Sequence, residues 1–355
     1  MPQTAEMTSR QRVLASFAHE EPDRVPCWFG SSDEFMEKAS HQLGLDAEGL
    51  AVRFGDDFRR VHARYTGPDF ALSEGAKLRT IFGVERKGPG YGQPMNHPLE
   101  NADVRAVHDY PWPDPEWMDV STIRAQAMRY EGQYAILGGD WSPFWHDAMD
   151  LFGMEELYVK MYMAPEVVEA TMQHLVDYYF EVSRRIFDEA SDLIDVFFIG
   201  NDFGGQQGPL LGLQLFSKYI VPGLRGLIDL GHSYGLKVQL HCCGGFAPLI
   251  PTMIDASLDA LHAVQPSCVG MDLAQLKEQF GDRMVFNGGI DSHHVLIEGT
   301  PKTVRTETHK VLKTMMPGGG YIAGASNDTI IDDTPVDNVV AMFDAIREFG
   351  WYDRG

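Results

Sequence analysis

Basic residues are scarce in this chain. Of 355 residues only 29 are Lys or Arg, against 51 Asp or Glu, for a formal net charge of −22. A nucleic-acid binder needs a positive footprint to neutralise phosphates, so this balance excludes such a partner. It also disfavours docking on anionic membranes. Cysteines are few as well: Cys27, Cys242, Cys243 and Cys268. Four in a chain this long make no disulfide framework, and the adjacent pair is poorly placed to bridge itself. No run approaches the roughly 18 apolar residues of a membrane helix, and patches such as Ile194 to Ile199 are strand-sized. The N-terminus carries no apolar h-region of a secretory signal. There is no internal repeat and no GxxxxGK[ST] phosphate loop. The expectation is a cytoplasmic protein with free thiols, no membrane partner and a small-molecule substrate.

Hydrophobic residues, at 44%, suffice for a sizeable core. Short β-rich runs alternate with longer helical stretches. Strands are expected at Arg24–Trp28, Phe58–His62, Tyr134–Leu137, Ile194–Ile199, Lys237–His241, Ala260–Val264, Met284–Asn287 and Tyr321–Ala323. Several are near-continuous apolar runs, as for parallel strands covered on both faces. Pro165 opens a long helix towards Ala190, and Thr300-Pro301 and Thr334-Pro335 read as N-cap plus first turn. Eight strands alternating with helices predict an α/β fold, a (β/α)8 TIM barrel, as one domain over residues 1–355. Residues 66–119 are rich in Gly and Pro and read as a long βα insertion over the barrel mouth. A domain boundary near Met118 would leave the early strands without partners.

In such a barrel the chemistry sits where strands end. Those positions hold Cys27, Asp56 and Asp57, Asp140 with Trp141, Asp202 with Gln206, His241 with Cys243, His262 with Gln265, Asp291 with His293, and Asn327. In His241-Cys242-Cys243-Gly244-Gly245, residues i and i+2 point to one side of an extended chain, so His241 and Cys243 converge while Cys242 points away. Imidazole and thiolate are favoured zinc ligands, and the glycines let the backbone turn sharply. A buried cysteine pair beside a core histidine would give the same letters. Asp202 could be a metal ligand, a general base or a substrate anchor, or simply a helix cap. His262 could face the same mouth or be a hydrogen-bonded core histidine. Trp141, Phe144 and Trp145 with His146 could wall a substrate or merely pack.

The ordered series Gly200-Asn-Asp-Phe-Gly-Gly-Gln206, Leu240-His-Cys-Cys-Gly-Gly245, Asp259-Ala-Leu-His-Ala-Val-Gln-Pro266, Asn287-Gly-Gly-Ile-Asp291 and Gly318-Gly-Gly-Tyr-Ile322 resembles the uroporphyrinogen decarboxylase-like superfamily. Asp23-Arg-Val-Pro26 and Tyr110-Pro-Trp-Pro113 fit it too, so the likeness spans nearly the whole chain. It implies a (β/α)8 barrel, often a homodimer, with its site at the strand ends. True decarboxylases carry an Arg-Gln-Ala-Gly-Arg motif after the first strand. Here that stretch is Cys27-Trp-Phe-Gly-Ser-Ser-Asp33, without arginine, and an octacarboxylate suits a −22 protein poorly. The other branch comprises zinc-dependent methyltransferases that use corrinoid carriers, with zinc on a His-x-Cys motif and a later Cys. His241 and Cys243 match that motif, but the later position, within Tyr321-Ile-Ala-Gly-Ala-Ser-Asn327, offers Ser or Asn. His262, Asp202 or Cys268 could complete the shell.

These readings converge on a methyltransferase-like enzyme for methyl transfer or demethylation, acting on a small methylated substrate or a corrinoid carrier. Zinc would sit on His241, Cys243 and His262, with Asp202 and Asp57 catalytic. Trp141, Gln206, Gln265, Asp291 and Asn327 would hold the substrate. The chain has no Asp-x-His-x-x-Gly corrinoid box, so any corrinoid would arrive on a separate protein. A metal-free decarboxylase and a tetrapyrrole- or corrinoid-binding protein are the rival expectations.

Overall fold

Apolar residues alternate between two cores in this chain, and that alternation shapes its sheet. The computed structural model describes residues 6–88 and 91–352. Seven strands form one sheet in chain order: β1 (Phe58–Arg60), β2 (Ala135–Gly138), β3 (Val196–Gly200), β4 (Lys237–His241), β5 (Ala260–Val264), β6 (Val285–Ile290) and β7 (Tyr321–Ala325). Every neighbouring pair is parallel. Val196 and Phe198 of β3 join Phe58, Leu137, Ala260, Val285 and Ile322 in an inner cluster, inside the curl of the sheet. Phe197 and Ile199 face the other way and pack into the helical shell. This is the two-residue period of a strand buried on both faces.

The expected eighth strand, Arg24–Trp28, is not a strand of the sheet. Cys27 alone forms isolated parallel bridges, one to Asp56 and one to Ala323. The physical reason is competition from side chains and proline. Asp57 Oδ2 accepts from the Cys27 N–H at 2.7 Å, the Arg24 guanidinium takes the Val25 carbonyl at 2.9 Å, and Pro26 has no N–H to give. The segment still touches both outer edges of the sheet. Ala323 N donates to Pro26 O at 2.8 Å, and Asp57 N donates to Cys27 O at 3.0 Å.

Helix α1 (Ser9–Phe17) begins with a capping box between Thr8 and Gln11 and drives Val13 and Phe17 into the inner cluster. It closes the end of the sheet where strands begin. There Arg12 bonds Asp23 at 2.6 Å and Asp57 at 2.9 Å. On the outside lie α2 (Phe144–Phe152), α3 (Pro165–Ala190), α4 (Pro301–Met315) and α5 (Val336–Phe349). Pro165 and Thr300 act at their N-termini as expected. Thr334 does not cap α5, because the helix starts later and Pro335 takes that position without a side-chain bond. No described helix is long and apolar enough to cross a membrane.

Residues 66–119 form small antiparallel pieces instead of a β/α repeat. Leu78–Arg79, Glu85–Lys87 and Gln93–Pro94 pair in one, and Met118–Asp119 pairs with Arg64–Tyr65 in another. Part of the Gly/Pro-rich run from Gly88 to Pro94, namely Pro89 and Gly90, lies outside the described residues. Phe82 anchors this segment edge-on to Tyr178 and Tyr179 of α3, with ring centroids 5.4 and 5.9 Å apart.

Candidate functional site

Register sets the site. His241 at the end of β4 lies level with Gly200 of β3 and His262 of β5, so both histidines reach the same inner height. Beyond His241 the alternation continues. Cys243 Sγ comes back to 3.2 Å from His241 Nε2, while Cys242 turns away and its sulfur accepts the Phe203 N–H at 3.3 Å. The loop after β3 delivers Asp202, whose Oδ1 lies 3.4 Å from His241 Nε2 and accepts the Cys243 N–H at 2.6 Å. These two loops can meet only because both are glycine where they cross. Gly245 N donates to Gly205 O at 2.8 Å, and a Cβ on Gly244, whose φ is +87°, would sit 2.4 Å from the Gly204 carbonyl carbon.

His241 Nε2, Cys243 Sγ and Asp202 Oδ1 therefore face one point. Zinc bonds of about 2.0 Å to nitrogen or oxygen and about 2.3 Å to sulfur, at tetrahedral angles, separate the ligand atoms by roughly 3.3–3.6 Å. The observed 3.2 and 3.4 Å fit that spacing, and an imidazole, a thiol and a carboxylate form a zinc-competent donor set. Burial opposes charge on His241, but hydrogen bonds to Asp202 and Cys243 hold its pKa well above the ordinary value. Burial likewise works against the Asp202 carboxylate, yet hydrogen bonds to His146 and His241 keep its pKa well below the usual range. The His146 Nε2 to Asp202 Oδ2 distance is 3.2 Å.

His262 meets His241 on the other side of its ring. Its Nδ1 meets His241 Nδ1 at 3.1 Å, the nitrogen opposite the one that faces Cys243 and Asp202. A single ion on His241 Nε2 would have His262 behind the ring, where a hydrogen bond orients a ligand without joining it. Burial, helped by His241 and Arg60, pushes the His262 pKa well below its ordinary value. Asp328 Oδ1 stands 3.8 Å from His262 Nδ1. His241, His262 and Asp328 thus form a second ligand-competent cluster; Cys268 belongs to neither among the described residues, and its thiol donates to Gln265 Oε1 at 3.5 Å.

Asp57 is not brought to this mouth. It lies before β1, fully buried, with Arg12 and Arg24 at 2.9 and 2.8 Å. Trp141 does arrive there: its indole lies 5.5 Å from the His241 ring and covers Gly200, where an added Cβ would come within 1.9 Å of it. Gly200→Ala should therefore push Trp141 off His241, at a cost of about 1–3 kcal/mol. Denaturant midpoint together with indole fluorescence would show this, and a wild-type midpoint with unshifted emission would refute the clash. Gln206, Gln265, Asp291 and Asn327 line one cavity of about 420 Å³. Within it Gln265 clasps the loops, accepting from Gly244 N at 2.8 Å and donating to Asn327 Oδ1. Asp291 caps the next helical turn by accepting from His293 N and His294 N, each at 2.9 Å.

Three groups of the mouth escaped the sequence reading in their present roles: His146, Asp328 and Arg60. Arg60 was discoverable, because Phe58 and Arg60 share one strand face and Phe58 points inward. His146 comes from the first turn of α2 and Asp328 from the loop after β7, so no strand period reaches either.

The family model for uroporphyrinogen decarboxylase (URO-D) matches residues 84–349. The chain belongs to the uroporphyrinogen decarboxylase family. Among relatives of this family member, a uroporphyrinogen decarboxylase of Alkalilimnicola ehrlichii is 23% identical over 274 residues, spanning 73% of this chain and 70% of its own. The methylcobamide:CoM methyltransferase MtbA of Methanosarcina acetivorans is 20% identical over 355 residues, spanning 97% and 99%. A solved methyltransferase from Methanosarcina mazei superposes with a TM-score of 0.67 at 19% identity, covering 97% of this chain and 99% of its own. Proteins of both names are thus among this chain's relatives, and the fold shared with the solved structure is TIM-barrel-like α/β.

Proposed function

We propose that this member of the uroporphyrinogen decarboxylase family is a zinc-dependent methyl-transfer or demethylation enzyme. The observation that carries the reading is the convergence of His241 Nε2, Cys243 Sγ and Asp202 Oδ1 at the strand ends. Those three residues would hold the metal, with His262 and His146 orienting His241 and Asp202 from behind. Zinc bound there would supply Lewis acidity, lowering the pKa of a thiol or polarising a substrate oxygen. Trp141 walls the site on the apolar side, and the cavity lined by Gln206, Gln265, Asp291 and Asn327 would receive the small methylated substrate. The MtbA relatives are named for methylcobamide and CoM, which supports a corrinoid carried by a separate protein as the methyl donor.

The same reading takes the chain as one (β/α)8 domain over residues 1–355, with the Cys27 segment as its eighth stave and residues 66–119 as an insertion. It also takes the protein as a cytoplasmic homodimer. The test is metal analysis of protein purified without added zinc. About one equivalent is expected, and less than about a tenth would overturn the metal reading, since a closed site binds tightly.

A metal-free decarboxylase is the second reading, and one observation favours it. Burial pushes the Asp56 carboxyl up to about 8, and Asp56 lines a mouth cavity with Trp28, Phe58 and Arg60. A carboxyl that holds its proton near neutrality is suited to acid catalysis. Decarboxylation that survives His241→Ala would favour this reading over zinc chemistry.

A further inference from the structure

His241 and His262 meet through like atoms. Strand register sets them side by side on β4 and β5, and their Nδ1 atoms stand 3.1 Å apart with both rings buried. Between two neutral imidazoles such a contact is a hydrogen bond with one shared proton. It is equally a pair of donors for a cation. Bonds of about 2.1 Å at right angles, as around a six-coordinate ion, separate adjacent donor atoms by roughly 3.0 Å.

A third donor stands beside them. Asp328 Oδ1 lies 3.8 Å from His262 Nδ1, and the ligand atoms of the three residues fall within 4.8 Å of one another. Asp328 follows β7 and its side chain is 32% exposed, so a rotation can close the remaining gap of roughly 1 Å. Among the described residues its carboxylate accepts no hydrogen bond, and His262 is its one ion-pair contact. Asp202, by contrast, already accepts the Cys243 N–H. Asp328 also lines the cavity of about 300 Å³ beside β1, which has room for waters to fill the other positions around an ion. Arg60 lines the same cavity and opposes a cation there, so binding depends on the Asp328 carboxylate.

We propose that His241 Nδ1, His262 Nδ1 and Asp328 Oδ1 form a second metal site, for a six-coordinate divalent ion of the manganese or ferrous kind, which cannot be filled together with the thiolate site. The donor set selects the ion. Two imidazoles and a carboxylate without sulfur suit Mn(II) or Fe(II), whereas Cys243 favours zinc. Exclusion follows from the shared ring, because a neutral imidazole has one lone pair to give and one N–H. When His241 gives its lone pair at Nε2, towards Cys243 and Asp202, its proton sits on Nδ1 and points at His262. When it gives the lone pair at Nδ1, the proton sits on Nε2 and faces Asp202. One histidine thus chooses between two ions. The second site stands without the zinc reading; only the exclusion rests on it.

The test follows Mn(II) by electron paramagnetic resonance on chelator-treated protein, where the signal of the free ion falls as it binds. The acidic surface takes up some Mn(II) whatever the mouth does, so the variants carry the assignment. Asp328→Asn and His262→Gln should each weaken the tightest Mn(II) by more than about tenfold, while Cys243→Ser should leave it within about twofold of wild type. Co(II) reports the other site through its thiolate charge-transfer absorption. About one equivalent should develop that absorption and release the Mn(II). Unchanged Mn(II) affinity in Asp328→Asn, or Mn(II) retained beside thiolate-bound cobalt, overturns the proposal. With no hydrogen bond to lose, metal-free Asp328→Asn should melt with the wild type; a lower melting temperature would assign Asp328 a structural role and overturn the site. Failure of the zinc reading looks different: cobalt would give no thiolate absorption in the wild type, while Mn(II) binding would still be lost in Asp328→Asn.

Discussion

Asp57→Asn should destabilise the folded chain by about 3–5 kcal/mol, the range for breaking a buried ion pair by removing one partner. Asp57 is fully buried and collects four donors. Arg12 Nη1 lies at 2.9 Å, Arg24 Nη1 and Nη2 at 2.8 and 2.9 Å, and the Cys27 N–H at 2.7 Å. Asparagine keeps the shape but removes the charge, and it presents an N–H₂ where a guanidinium already donates. Arg12 retains Asp23 at 2.6 Å, so the loss falls hardest on Arg24 and on the Cys27 segment that touches both sheet edges. Chemical denaturation would measure it. A loss below about 1 kcal/mol combined with abolished turnover would return Asp57 to the catalytic role expected from its place in the sequence.

Cys243→Ser should weaken zinc binding by more than about 100-fold, beyond the 10–100-fold typical of losing a partner behind a ligand. Serine keeps the size but replaces a thiolate with a hydroxyl that rarely ionises near neutral pH. The neighbouring cysteine is the internal control. Cys242 faces Phe203 N, and burial pushes its thiol pKa well up, so Cys242→Ser should leave zinc affinity within about twofold of wild type. A competition titration against a coloured chelator resolves both. Equal losses in the two variants would mean that the alternation of the strand does not select the ligand.

That alternation is why His241 and Cys243 were legible in the sequence at all. Two positions on one side of an extended segment remain together whatever the rest of the chain does. The seven paired strands were legible for the same reason, since apolar runs bounded by turn residues need no long-range information. Asp57 was not legible in its actual role. Two adjacent aspartates before a strand read alike, and the arginines that claim Asp57 sit 45 and 33 residues away. His262 shows the same limit at shorter range. Its strand is visible in the sequence, but which nitrogen of His241 it meets depends on the register between β4 and β5. The eighth strand failed because side chains of Arg24 and Asp57 took backbone groups that a ladder would have used.

The placement of α1 bears on how the proposed methyl-transfer cycle would run. With Val13 and Phe17 packed into the inner cluster and Arg12 locked to Asp23 and Asp57, the end of the sheet where strands begin is shut. Among the described residues, that leaves the strand-end mouth around His241 as the end of the sheet not covered by α1. A bulky carrier protein seated over that mouth, as the proposed function has it, would trap a small molecule already inside and bar one that is not. On the methyl-transfer reading with a separate carrier protein, the small reactant would then have to enter before the carrier seats and leave after it departs.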